Sequence, residues 1–155
     1  MFYLGLLLAN TSRSSQKLLQ GNGMKKVAEF DKSGGKLEIF EDTNKNIFMA
    51  QPHGVINPSL LEEDLTHATA FSKRINEPWF YVTNTEDVRL VNPFNLMYLK
   101  EVKKLQKLRE IVIYAPGFVN RTLIKLAFFI IQPDRIFKKK ADFEKFLGVA
   151  QGART

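Results

Sequence analysis

Between Trp79 and Leu147, short runs of β-branched and aromatic residues alternate with stretches whose apolar positions recur every three or four residues. A chain that switches repeatedly between a period of 2 and a period of 3.6 lays its strands side by side and carries the intervening helices across the sheet. This excludes an all-helical bundle and an all-β sandwich, and it predicts an α/β protein. Ahead of the alternation, Val27 to Phe30, Leu37 to Phe40 and Ile47 to Ala50 read as three short strands. Asp31-Lys32-Ser33-Gly34-Gly35 joins the first two as a hairpin turn, with glycine where positive φ is needed. The third follows the polar turn Glu41 to Asn46, so the three form a meander.

Two helices open on the same device. In Asn57-Pro58 and Asn92-Pro93, asparagine caps a backbone N–H and proline presets φ at the first helical position. The first helix buries Leu61, Leu65, Ala68, Phe71 and Ile75 and stops at Asn76 and Pro78, which leaves His67 as a surface histidine. Its Glu62-Glu63-Asp64 reads as a set of first-turn acids that complement the helix dipole, not as an acid/base pair. Trp79 to Thr83 is a buried strand. The second helix turns Phe94, Tyr98, Val102, Leu105 and Leu108 inward and places Lys100, Lys103, Lys104 and Lys107 on one basic outer face.

Ile111 to Tyr114 is the next strand, and Asn120 caps a third helix whose stretch from Leu123 to Ile131 carries one charge, Lys125. That stretch is too short for a bilayer, which needs about 20 apolar residues. It is either core or an interface, through Leu126, Phe128, Phe129 and Ile130, with a second copy or with lipid. Arg135 to Phe137 is an edge strand guarded by Lys138, Lys139 and Lys140, and Asp142 to Leu147 closes the chain as a helix burying Phe143, Phe146 and Leu147. The order β-β-β-α-β-α-β-α-β-α predicts a mixed sheet with helices packed by right-handed crossovers.

At 155 residues this is one domain, expected over residues 24–150, with residues 1–23 as a leader or weakly ordered tail. The apolar run Phe2 to Ala9 has no basic segment before it, as a signal peptide requires, and is too short for a membrane span. Net charge is +7, but it is unevenly held: residues 100–155 carry 13 basic and 5 acidic side chains, residues 24–99 carry 8 and 11. With no cysteine there are no disulfides, thiolate nucleophiles or zinc-thiolate sites, and a reducing cytoplasm is expected. His53 and His67 alone do not make a metal site, and no cofactor is expected.

The order of elements resembles the SpoIIAA-like, or STAS/SEC14, superfamily. The residues that carry the likeness are Trp79-Phe80-Tyr81-Val82-Thr83, Ile111-Val112-Ile113-Tyr114, and Arg135-Ile136-Phe137 leading into Ala141-Asp142-Phe143-Glu144-Lys145-Phe146-Leu147. It covers roughly residues 25–148. The resemblance implies a non-catalytic regulatory or protein-interaction module. In the anti-sigma-factor antagonists of that superfamily, an Asp-Ser-Ser/Thr-Gly motif opens the second helix and carries a phosphorylated serine. Here the position reads Asn92-Pro93-Phe94-Asn95, and no serine follows Ser72, so that switch is missing.

The geometry behind the motif still applies. In an open α/β sheet, helix N-termini gather at the carboxyl ends of the strands, where ligands bind. That places Asn57, Asn92, Asn95 and Asn120 together with Arg121 as an expected site for a small anion. The chain has neither a G-x-S-x-G elbow nor a dinucleotide or phosphate loop, so no enzyme is expected. Nucleic acid is the least favoured anion, because the lysine face has no aromatic residues among its cations. The expected partners are a protein, including a second copy, or an anionic lipid or small anion at a membrane surface.

Overall fold

The computed structural model describes residues 23–90, 93–118, 121–122, 125 and 132–152. The expected leader and most of the third helix, with Leu126, Phe128, Phe129 and Ile130, lie outside the described residues, as do Asn92 and Asn120. The hairpin is β1 (Lys25–Lys32) and β2 (Gly35–Asp42), joined by a two-residue turn in which Ser33 (φ 48°) and Gly34 (φ 82°) are both left-handed. Gly35 is needed for a different reason. A Cβ there would lie 2.2 Å from the Val55 carbonyl oxygen. Asp42 then accepts the N–H groups of Asn44 and Lys45, at 3.0 and 3.1 Å, and β3 (Ile47–Val55) returns antiparallel to β2.

α1 (Pro58–Arg74) begins on its expected cap, with Asn57 Oδ1 accepting the Leu60 N–H at 3.1 Å. β4 (Trp79–Asn84) and β5 (Val88–Leu90) follow, then a 3-10 segment (Pro93–Tyr98) that runs into α2 (Leu99–Lys103). β6 (Leu108–Tyr114), β7 (Arg135–Phe137) and α3 (Lys140–Gly152) complete the fold. It is an α/β protein whose described residues form one mixed sheet of seven strands in the order β1-β2-β3-β4-β6-β7, with β5 beside the end of β3. The first three strands are antiparallel, and every pairing from β3 onward is parallel.

Both faces of the sheet are packed, which is why the central strands are apolar without interruption. One face sets Leu37, Ile39, Phe48, Tyr81, Ile111 and Ile113 against Leu60, Ala68 and Phe71 of α1. The other sets Phe80, Val112 and Tyr114 against Phe143, Phe146 and Leu147 of α3, with the Tyr114 and Phe143 rings stacked at 4.6 Å.

Three expectations need correction. The second helix does not run to Leu108. It ends at Lys103, Lys107 turns left-handed (φ 62°), and Leu108 is the first residue of β6. Leu105 and Leu108 have helical spacing, but they fit a turn feeding a strand equally well. Glu62-Glu63-Asp64 is not in the first turn of α1, and Asp64 faces the core at 2% exposure. β3 runs five residues past Ala50 through Pro52 and Gly54, where sequence punctuation suggests a stop. Pro52 falls in the gap between the β4 pairing, which ends at Ala50, and the β5 pairing, which starts at Gly54.

Candidate functional site

The extra length of β3 creates the most polar part of the sheet. Register sets Lys36 of β2 opposite His53 of β3, Glu38 opposite Gln51, and Glu29 of β1 opposite Glu38. By the period of 2, Lys36, Glu38, Gln51 and His53 share one face. His53 Nε2–H donates to Glu38 Oε1 at 2.6 Å, and Nδ1–H donates to Asp87 Oδ2 at 3.0 Å. Two carboxylate acceptors on one ring require both nitrogens to carry protons, so the imidazole is a cation. Burial by itself would lower its pKa. The hydrogen bonds and charges of Asp87 and Glu38 outweigh that and push His53 up to about 9.

Glu38 is the other half of this arrangement. Burial would raise it, but His53 and Lys26, whose Nζ lies 3.0 Å from Oε2, hold it down at about 2. Lys26 and Lys36 both reach Glu29, at 2.6 and 2.5 Å. Asp87 is placed by the chain as well as by His53, because its carbonyl accepts the Gly54 N–H at 3.0 Å. Asn84 shapes the same connection by accepting the Glu86 N–H at 3.0 Å.

Above this floor lies a cleft of about 750 Å³, lined by the β1–β2 turn, Lys36, Glu38, His53, Gly54, Asp87 and Arg89. Its walls approach each other through glycine: a Cβ on Gly54 (φ 72°) would lie 2.7 Å from the Gly34 carbonyl oxygen. Lys32, Asp31 and Arg89 stand exposed at the rim, and among the described residues none of the three has an ionic partner.

Of the residues expected from sequence to hold an anion, Asn57, Asn95 and Arg121 are described, and each is bonded to its own surroundings. Asn57 is spent on structure, capping α1 and donating Nδ2–H to the Lys32 carbonyl at 2.9 Å. Asn95 sits nearby and donates to the Ile56 carbonyl at 3.3 Å. Arg121 stays with its own loop, over the Phe118 ring and 3.5 Å from the Pro116 carbonyl. Lys100, Lys103, Lys104 and Lys107 are all exposed but do not share a helix face. Lys103 donates to the Gln132 carbonyl, Lys107 to the Asn76 carbonyl, and Lys104 pairs with Glu101. His67 is half-buried, edge-on to the Phe30 ring at 5.3 Å.

Glu38, His53, Asp87 and Arg89 were not singled out by sequence reasoning as a site. One signal was available, since Lys36 and Glu38 alternate with Leu37 and Ile39 in a strand expected to pair with the next. No group of His, Asp or Glu among the described residues is arranged to hold a metal ion. No helix among the described residues is long and apolar enough to cross a membrane. No family model matches the chain, and no curated protein matches it.

Proposed function

We propose that the chain is a non-catalytic binding module of the SpoIIAA-like (STAS) kind that takes a small phosphate- or carboxylate-bearing ligand in the cleft between the β1–β2 turn and β5. The observation that carries this reading is the charge left uncommitted there. Glu38, His53 and Asp87 bond to one another and Lys36 is held by Glu29, whereas Lys32 and Arg89 have no ionic partner among the described residues. Two such cations against one such carboxylate, Asp31, favour an anion, and the planar fork of Arg89 suits two oxygens at once. A catalytic role has less support. With a carboxylate on each nitrogen, His53 has no lone pair to act as a base.

A phosphate group reaches such a cleft either as a free ester or as an anionic lipid headgroup. Calorimetry with inorganic phosphate and with glycerol 3-phosphate tests the first source, and sedimentation with phosphatidylglycerol vesicles at low and high salt tests the second. The expected result is saturable binding that Arg89→Ala weakens about tenfold or more, the loss of one charge-assisted contact. Salt-sensitive binding to vesicles alone assigns the site to lipid. Binding to neither, or binding unchanged in Arg89→Ala and Lys32→Ala, contradicts the reading.

One observation favours a second reading, a module that docks a protein or a second copy of itself. Among the described residues β1 is the outermost strand of its sheet edge, and Val27 stands 47% exposed at the bulge between Lys26 and Ala28. Sedimentation velocity over a concentration series is expected to show a dimer that Val27→Lys abolishes. A monomer at every concentration would remove this reading.

A further inference from the structure

The floor and the rim of the cleft carry charge differently, and the difference points to the kind of molecule that fits. In the floor and the strands behind it, His53 bonds Glu38 and Asp87, Lys26 bonds Glu38 and Glu29, and Lys36 bonds Glu29. With the imidazole protonated on both nitrogens, the cations His53, Lys26 and Lys36 match the carboxylates Glu29, Glu38 and Asp87 one for one. The network is therefore neutral as a whole. At the rim, Lys32 and Arg89 face the single carboxylate of Asp31, so the surplus positive charge lies there. A ligand of matching shape has one anionic end for the rim and an uncharged, hydrogen-bonding body for the floor.

The floor still has oxygen to offer. Asp87 Oδ2 accepts from His53 Nδ1 at 3.0 Å and from Gln51 Nε2 at 3.4 Å, whereas Oδ1 accepts no hydrogen bond among the described residues. The Asp87 side chain is 37% exposed and lines the cleft. Asp87 and Arg89 flank the buried Val88, so by the period of 2 they face the same side, about 6.6 Å apart along the chain. One small molecule reaches both. An ammonium is a poor match for Oδ1, because the imidazolium already balances that carboxylate and a second cation costs more to desolvate than a hydroxyl does. A hydroxyl donates to it at little cost. A nucleobase finds no platform, since the one ring among the described lining residues is His53, whose two nitrogens are both spoken for.

We propose, on the reading that this cleft binds an anion, that its ligand is a phosphorylated polyol of sugar-phosphate size. The phosphate lies on Arg89 and Lys32, and a hydroxyl donates to Asp87 Oδ1. The volume of about 750 Å³ has room for such a molecule, and sites for small ligands run from about 300 to 1,000 Å³. Asp87 then sets specificity, because it separates a hydroxylated ester from a bare one. His53 is its positioning residue: by holding Oδ2 it fixes which oxygen is left to accept.

Calorimetry on the full chain tests this by comparing ribose 5-phosphate with methyl phosphate, which has the same anion and no hydroxyl. Ribose 5-phosphate is expected to bind about tenfold or more tighter, the gain of one hydrogen bond to a charged acceptor. Asp87→Ala is expected to erase that preference while methyl phosphate binds no more weakly. If Asp87→Ala does not fold, the wild-type ratio decides alone. Equal affinity for the two esters overturns the polyol and leaves the anion reading standing. A preference that survives Asp87→Ala overturns the role of Asp87, and a tenfold gain for adenosine 5′-phosphate over ribose 5-phosphate overturns the ligand class. Vesicles separate a lipid source from a free one: preference for phosphatidylglycerol, whose headgroup is hydroxylated, over phosphatidic acid, lost in Asp87→Ala, assigns the same chemistry to a headgroup. Equal binding to both vesicles, with no free ester bound, overturns the polyol alone. No binding to either ester, to inorganic phosphate or to vesicles overturns both readings.

Discussion

Trp79→Ala is expected to lower unfolding free energy by about 3–5 kcal/mol, the range for removing a buried aromatic side chain. Trp79 has no exposed surface, packs edge-on to Phe71 at 5.4 Å and Phe48 at 6.4 Å, and starts the strand on which the parallel half of the sheet is built. The truncation removes more than packing. Trp79 Nε1–H donates to the Gln106 carbonyl at 2.8 Å, and the backbone N–H of Trp79 donates to the Lys107 carbonyl, so the ring and the strand start fix the same left-handed turn. A domain of this size has a total stability of about 5–15 kcal/mol, so the variant should be largely unfolded at modest urea concentrations. Circular dichroism against urea measures it, and a loss below 1 kcal/mol would mean that Trp79 is not the keystone of the α1 face.

The second large effect is a dependence of stability on pH through His53 and Glu38. His53 is raised in the folded state, so its contribution is complete below its unfolded value of 6.5 and is lost as pH rises through about 9. Glu38 is depressed, so its contribution is present above 4.5 and is lost as pH falls toward about 2. The histidine contribution is about 3 kcal/mol at most, since each pKa unit is worth about 1.4. The clean window is about pH 8 to 9.5, because the buried Asp64 carboxyl, raised to about 7, has by then given up its proton. Wild-type urea midpoints should fall across that window, and those of His53→Gln should not. Nitrogen-15 spectra of the imidazole should show both nitrogens protonated at pH 7.5. A neutral ring at that pH would dismantle the clamp.

Much of this fold was legible in the sequence because its signals are local. The caps Asn57 and Pro58, the Ser33-Gly34 turn and the apolar strands at Trp79 and Ile111 each declare themselves within a few residues. What was not legible depends on register or on competition between patterns. β5 is three residues in a polar stretch, and only its pairing with Gly54 and Val55 makes it a strand. The helical spacing of Leu105 and Leu108 loses to a turn that exposes Lys107 and lets Leu108 enter the sheet.

The site was the least legible part. Glu38 and His53 are 15 residues apart, and the hairpin register puts them on one sheet face within hydrogen-bonding reach. Pro52 and Gly54 hid that region by marking it as a loop. Asp64 was passed over because two neighbouring acids gave it a surface explanation. Its position three residues after Leu61 and four before Ala68, on the apolar stripe, was the better indicator.

The basic charge that most suggests an anionic partner lies in the last third of the chain, while the cleft is built from β1, β2, β3 and β5. Mapping the ligand by nitrogen-15 correlation spectra during a phosphate titration separates these addresses. An anion held in the cleft gives saturable shifts at Gly34, Gly35, Gly54 and the Arg89 side chain, lost in Arg89→Ala. Shifts confined to the region of Lys100 to Lys107 or Lys138 to Lys140, or no saturable shift at all, would contradict it.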